Sequence, residues 1–127
     1  MLNTFAGIFV ILHGLVHLWY VFLSYQIVEF QPDMGWTGKS WFFSAFLQES
    51  SVRQLAGILF IIAALLFIIS GIGILTNAGW LSSVILISSV FSTIILILFW
   101  DGSMAMIVQK GIIGVIINLV LIAIYAL

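Results

Sequence analysis

The sequence predicts an all-α integral membrane protein, a bundle of four transmembrane helices with a long polar-aromatic loop between helices 1 and 2. Three observations lead to this prediction: the composition, four long apolar runs, and charges confined to two stretches. Hydrophobic residues make up 65% of the 127 residues and charged residues 6%. A soluble domain of this size needs far more charged surface, so the composition indicates that the bilayer is the solvent.

Four apolar runs are each long enough to cross a membrane, which takes about 20 mainly apolar residues. They cover residues 2–25, 54–77, 79–100 and 104–127, and only the last contains a charged residue, Lys110. The first run has no positively charged n-region and no small-residue cleavage site, so we expect a retained span and not a signal peptide. The breaks "TNAG" and "DGSM" are short, so the last three helices should be antiparallel neighbours within a single domain of residues 1–127.

Residues 26–53, between the first two runs, are polar and aromatic. Pro32 and Gly35 should prevent the first helix from continuing. The stretch "SWFFSAFLQ" is rich in aromatic residues, and we expect a short amphipathic helix that lies in the membrane interface. The alternative is that these aromatic residues fold back over the bundle as a lid.

All seven charged residues fall within 29–53 or 101–110. In an antiparallel four-helix bundle these two stretches emerge on the same side of the membrane. Three of the seven are basic, namely Lys39, Arg53 and Lys110. The positive-inside rule therefore predicts that the long loop and residues 101–103 are cytoplasmic and that both termini are outside. The chain has no basic patch for nucleic acid, and the absence of cysteine excludes disulfides and thiolate metal sites.

Two histidines, His13 and His17, lie one helical turn apart inside the first span, on the same face as Tyr20. An imidazole in contact with lipid would leave its N–H unpaired at a cost of several kcal/mol. We therefore expect this face to contact other helices or a cavity. A rise of about 1.5 Å per residue places polar residues of spans three and four at a similar depth. The predicted ligand-binding group comprises His13, His17, Tyr20, Ser89, Thr93 and Asn118.

Two interpretations of the histidine pair stay open. In the first, the imidazoles hydrogen-bond to neighbouring helices and fix helix register. In the second, they bind a ligand. Imidazoles four residues apart can share a metal ion, but zinc needs at least a third protein ligand. A single helix face also offers only one axial ligand per haem. The cofactor therefore stays unknown, with His13 and His17 as the candidate ligands if there is a metal.

Two classes of function follow. Small residues that let backbones approach closely predict a non-catalytic bundle that assembles with itself or with other membrane subunits. These residues are Gly57, Ala64 and Gly71 in span two and Gly111 and Gly114 in span four. The polar face of span one instead predicts an intramembrane pocket for a small hydrophobic ligand such as a quinone or a lipid. No complete catalytic set is present, which favours a protein that is not an enzyme.

Five segments follow one another along the chain: "LHGLVHLWYV", "GWTGKSWFFS", "VRQLAGILF", "LFWDG" and "QKGIIGVIINLVLI". This succession resembles a largely uncharacterised group of small four-span prokaryotic membrane proteins. In size and layout the chain is similar to DoxX-like proteins. Some proteins of that type are small membrane subunits linked to quinone-dependent sulfur oxidation, so the resemblance implies a prokaryotic cell membrane and a quinone or a partner subunit. It implies no catalytic residue. In "WTGKSW", Lys39 stands between Trp36 and Trp41, which makes these three the candidate interfacial residues.

Overall fold

The computed structural model describes residues 2–24, 39–100, 102 and 111–126, and within them the chain is all-helical. The helices are α1 (Leu2–Ser24), α2 (Glu49–Leu75), α3 (Leu81–Leu98) and α4 (Ile113–Ala126), with one turn of 3-10 helix at Phe43–Ala45. No strand occurs among these residues, so the predicted all-α class is confirmed. Residues 25–38, and with them Pro32, Gly35 and the first half of the predicted loop 26–53, lie outside the described residues.

Three of the helices are apolar and long enough to cross a membrane. They are Asn3–Phe22, Glu49–Leu75 and Leu81–Leu98. The described part of α4 is equally apolar and 14 residues long. Large apolar side chains are exposed on every helix, for example Leu12, Leu65, Ile94 and Leu119. An apolar surface of this extent is stable only against hydrocarbon or other apolar chains, so the helices indicate a membrane protein.

Two buried apolar clusters define the ends of the bundle. The terminal cluster comprises Val10, Phe67, Ile74, Ile85 and Leu121. The loop cluster comprises Tyr20, Val21, Val52, Ala56, Phe60, Ala63, Ile95, Leu96 and Phe99. The chain passes from the terminal to the loop cluster along α1 and α3, and in the opposite direction along α2. Each of these helices is therefore antiparallel to its neighbour in sequence, as short connections require.

Helix α1 packs most extensively against α2, and glycines bring the two backbones together. A Cβ built on Gly71 would lie 2.7 Å from the backbone oxygen of Gly7, and one on Gly14 would lie 3.0 Å from that of Ala64. Distances this short leave no room for a side chain. Ala64 and Gly71 of the small-residue face of span two are thus covered by α1 of the same chain.

At the loop-cluster end, residues that precede α2 bond to the carboxyl end of α3. The Trp41 indole Nε1 donates to the Ile97 oxygen at 2.6 Å, and the Trp41 backbone N–H donates to the Trp100 oxygen at 2.8 Å. The Ser40 hydroxyl donates to the Leu98 oxygen. The last carbonyl groups of a helix lack partners within it, so these bonds cap α3 from another part of the chain. The expected amphipathic helix is here a single turn, Phe43–Ala45.

Candidate functional site

A buried polar layer separates the two apolar clusters. On α1, His13 and His17 lie between Val10 of the terminal cluster and Tyr20 of the loop cluster, and their side chains are only 6% and 2% exposed. The two imidazoles meet edge to face with their centroids 5.1 Å apart. Phe67 of α2 packs against both, at 4.7 Å from His13 and 5.2 Å from His17. Neither imidazole is therefore on the lipid-facing side of α1.

Four side chains of this layer form a closed set of hydrogen bonds, which we call the polar network: His13, His17, Ser92 and Asn118. His13 Nε2 donates to Asn118 Oδ1 at 2.8 Å, and Asn118 Nδ2 donates to Ser92 Oγ at 2.9 Å. Ser92 Oγ lies 2.6 Å from His17 Nε2. The set closes at the backbone oxygen of His13, which lies 2.9 Å from His17 Nδ1. The polar network thus joins α1, α3 and α4.

Only one placement of protons satisfies the polar network with both imidazoles neutral. The backbone oxygen of His13 can only accept, so His17 Nδ1 carries a proton and donates it. His17 Nε2 then has a lone pair, which accepts the hydroxyl proton of Ser92. The Ser92 oxygen in turn accepts from Asn118, whose carbonyl oxygen accepts from His13. Each contact therefore contains exactly one proton.

This placement fixes which atom donates and which accepts in each hydrogen bond of the polar network. Moving a proton around it would require His17 Nδ1 to lose its proton while it faces a carbonyl oxygen, which would leave two acceptors in contact. In an apolar interior such an unsatisfied contact is costly. The arrangement is therefore suited to holding three helices in register and not to relaying protons.

The polar network also limits metal binding. Both ring nitrogens of His17 are already bonded within the protein. Among residues 2–24, 39–100 and 111–126 there is no group of three His, Asp, Glu or Cys side chains placed to share an ion. A metal at the histidine pair would have to break bonds of the polar network and find its further ligands elsewhere.

Three of the predicted site residues lie outside the polar network. Tyr20 stacks on Phe60 with ring centroids 4.8 Å apart, and its hydroxyl is close to Gly111, which precedes α4. Thr93 donates to the backbone oxygen of Ser89 at 2.7 Å. The Ser89 hydroxyl is buried without a hydrogen-bond partner in the described part of the chain. The structure therefore brings together His13, His17 and Asn118 of the predicted group.

The residue that the sequence prediction missed is Ser92, which bonds to both α1 and α4. Its position on α3 follows the three-four spacing of the buried residues Ile85, Ser88, Ser92 and Ile95. That spacing is the signal that could have identified it. Ser88 of the same face bonds to Ser70 Oγ of α2 at 3.0 Å, so α2 is also joined to α3 by a polar contact.

An apolar groove runs between α1 and α4, which are not among the helix pairs with extensive backbone contact in the described residues. Its volume is about 400 Å³, and it is lined by Phe5, Ala6, Phe9 and Val10 of α1 and by residues of α4 from Ile116 to Tyr125. The His13–Asn118 hydrogen bond lies at its inner end, one helical turn beyond Val10. All lining side chains except that of Tyr125 are hydrocarbon.

Of the candidate interfacial residues, the structure describes Lys39 and Trp41, while Trp36 lies outside the described residues. Lys39 is exposed. The Trp41 side chain is 52% exposed, although its indole N–H is bonded to α3. Exposed Phe42 and Phe46 lie beside it in edge-to-face contact with each other, their centroids 5.5 Å apart. These exposed aromatic groups sit at the end of α3, a helix long and apolar enough to cross a membrane, and tryptophan is enriched at such helix ends in membrane proteins.

Comparison with family models, with curated proteins and with solved structures gives no match to this chain. The resemblance to DoxX-like proteins therefore stays a prediction from the sequence.

Proposed function

We propose that the chain is a non-catalytic polytopic membrane protein that assembles with itself or with partner membrane subunits. The polar network is the observation that carries this proposal. Its histidines, amide and hydroxyl are bonded to one another and tie helices together, whereas a catalytic site presents such groups to a substrate. What remains for interaction is the outer surface of large apolar side chains, which suits packing against lipid and other membrane helices.

The resemblance to DoxX-like proteins supports the same proposal, because it implies a small subunit beside other chains in a prokaryotic cell membrane. The basic residues Lys39, Arg53 and Lys110 support an orientation with the loops in the cytoplasm and both termini outside.

The test of assembly is chemical cross-linking in intact membranes, followed by extraction in mild detergent and native mass spectrometry. We expect the chain in a complex of fixed stoichiometry, either with copies of itself or with another membrane protein. A monomeric membrane protein expressed to the same level serves as the control for random collision. Recovery of the chain alone as a monomer, with no more cross-linking than the control, would contradict the proposal.

The groove between α1 and α4 favours a second candidate function, the binding of a small hydrophobic ligand such as a quinone or a lipid. Its volume of about 400 Å³ falls within the range of small-molecule sites. His13 and His17, around which the sequence predicts the pocket, already use ring nitrogens in hydrogen bonds within the protein. The groove beside them is therefore the better candidate for the ligand-binding site. A metal or haem at the histidines is a weaker proposal for the same reason.

The second function predicts that protein purified from membranes carries a hydrophobic molecule, detected by mass spectrometry of an organic extract. We expect His13→Ala to lose most of it, because the His13 ring lies parallel to Phe9 of the groove at 6.5 Å. His17→Ala is the matched control, because the His17 ring packs against Phe60 and Phe67, which do not line the groove. Equal retention in the two variants, or an extract that holds only detergent, would rule out this function.

A further inference from the structure

We propose that the groove between α1 and α4 binds one acyl chain of a phospholipid from the leaflet on the side of the chain termini. This inference rests on the second candidate function and names its ligand. Three properties of the groove support it: its length, its closed inner end and the chemistry of its lining.

The length of the groove fits within one leaflet. Its lining extends from Ile116 to Tyr125 on α4, about 13.5 Å at 1.5 Å per residue, and from Phe5 to Val10 on α1, about 7.5 Å. Half of a hydrocarbon core of about 30 Å is about 15 Å. A ligand that fills the groove is therefore no longer than one leaflet is thick, which suits an acyl chain.

The groove ends at the middle of the bundle. Beyond Val10, α1 and α4 are joined by the bond between His13 and Asn118. Toward the loop cluster, the Tyr20 side chain of α1 reaches Gly111, which precedes α4: a Cβ on Gly111 would lie 3.0 Å from the Tyr20 hydroxyl. A transmembrane helix of a second copy would cross both leaflets and is about 10–12 Å wide. The groove is too short to accommodate such a helix along its whole length.

The lining distinguishes a lipid tail from a quinone head. From Phe5 to Val10 and from Ile116 to Ile124 the groove offers only hydrocarbon side chains. The polar groups at its inner end, on His13 and Asn118, already bond to each other. Tyr125 is at the outer end, where a phenol hydroxyl is at the depth of the lipid ester groups. The groove thus accepts an apolar chain inside and a polar group only at its mouth.

The experiment is photolabelling of the full chain in phospholipid vesicles that contain a minor fraction of a phospholipid with a diazirine near the end of one acyl chain. Adducts are mapped by mass spectrometry of peptides. We expect them to concentrate on the inner end of the groove, at Phe9, Val10 and Ile117. Val120→Trp fills the groove and should lower this labelling about tenfold, equivalent to about 1.4 kcal/mol of binding free energy. The matched control is Ile94→Trp on α3, whose side chain is 50% exposed outside the groove.

Uniform labelling of all outward faces in the wild type, or equal labelling of the two tryptophan variants, would overturn the inference.

Whether a second copy of the chain occupies the groove is tested by disulfide cross-linking of Val120→Cys, which is selective because the chain has no native cysteine. We expect no more disulfide dimer from this variant than from Ile94→Cys, and selective dimerisation through position 120 would also overturn the inference. These outcomes are separate from those of the function tests. A protein that fails to assemble, or that loses its ligand during purification, still shows where the acyl chain lies in vesicles.

Discussion

Gly71→Ala is expected to destabilise the bundle by about 1–3 kcal/mol, the usual cost of overpacking a well-packed interior. The added methyl group would contact Ile11 and would lie 2.7 Å from the backbone oxygen of Gly7. The Ile11 side chain can rotate away, but the backbone oxygen can move only if α1 moves away from α2. Within a helix the same change normally stabilises by about 1 kcal/mol. A loss of stability here would therefore come from the close contact between α1 and α2.

The measurement is the free energy of unfolding in mixed micelles, with Gly79→Ala as the matched control. A Cβ on Gly79 meets no atom within 4 Å, so the identical substitution should leave stability unchanged or slightly raised. If Gly71→Ala is as stable as the wild type, the backbones of α1 and α2 are farther apart than the structure describes.

Asn118→Leu is expected to lower the free energy of unfolding by about 1–2 kcal/mol, at the upper end of the range for hydrogen bonds between membrane helices. The substitution removes the acceptor of His13 and one donor to Ser92. Because Asn118 is fully buried, neither the His13 N–H nor the Ser92 hydroxyl can form a replacement hydrogen bond with water. The cost is therefore mainly that of leaving His13 Nε2 with an unpaired proton.

A double-mutant cycle with His13→Leu tests this explanation. His13→Leu removes the N–H that Asn118→Leu leaves unpaired, so the double variant should be more stable than the sum of the two single effects predicts. Strictly additive effects would show that the two side chains do not interact. The free energies are measured in the same mixed micelles, so that the only variable is the pair of side chains.

The general position of the site could be predicted from the sequence, but its exact membership could not. The cost of an unpaired imidazole in hydrocarbon is enough to place His13 and His17 toward other helices, and the rise per residue is enough to bring Asn118 to their level. Ser92 was missed because several hydroxyl residues of α3 lie at similar depths. Which of them faces α1 and α4 depends on the rotation of α3, and packing of Ile85 and Ile95 sets that rotation.

Helix ends and gaps between helices are also poorly predicted by apolar runs. The apolar run of span two begins at residue 54, but α2 begins at Glu49. Glu49 in the first turn is favoured by the helix dipole and pairs with Arg53 at 3.3 Å, and neither effect requires an apolar residue. The groove is a gap between the first and last helices, which no local pattern encodes.

The bonds from Ser40 and Trp41 to the end of α3 set an order for biosynthesis. The acceptors on Ile97, Leu98 and Trp100 are synthesised long after these donors. At about 5–20 residues per second, the ribosome needs roughly 3–12 s to extend the chain from residue 41 to residue 100. The hairpin of α1 and α2 can therefore pair first, while the aromatic segment before α2 reaches its final position only after the third helix has been inserted.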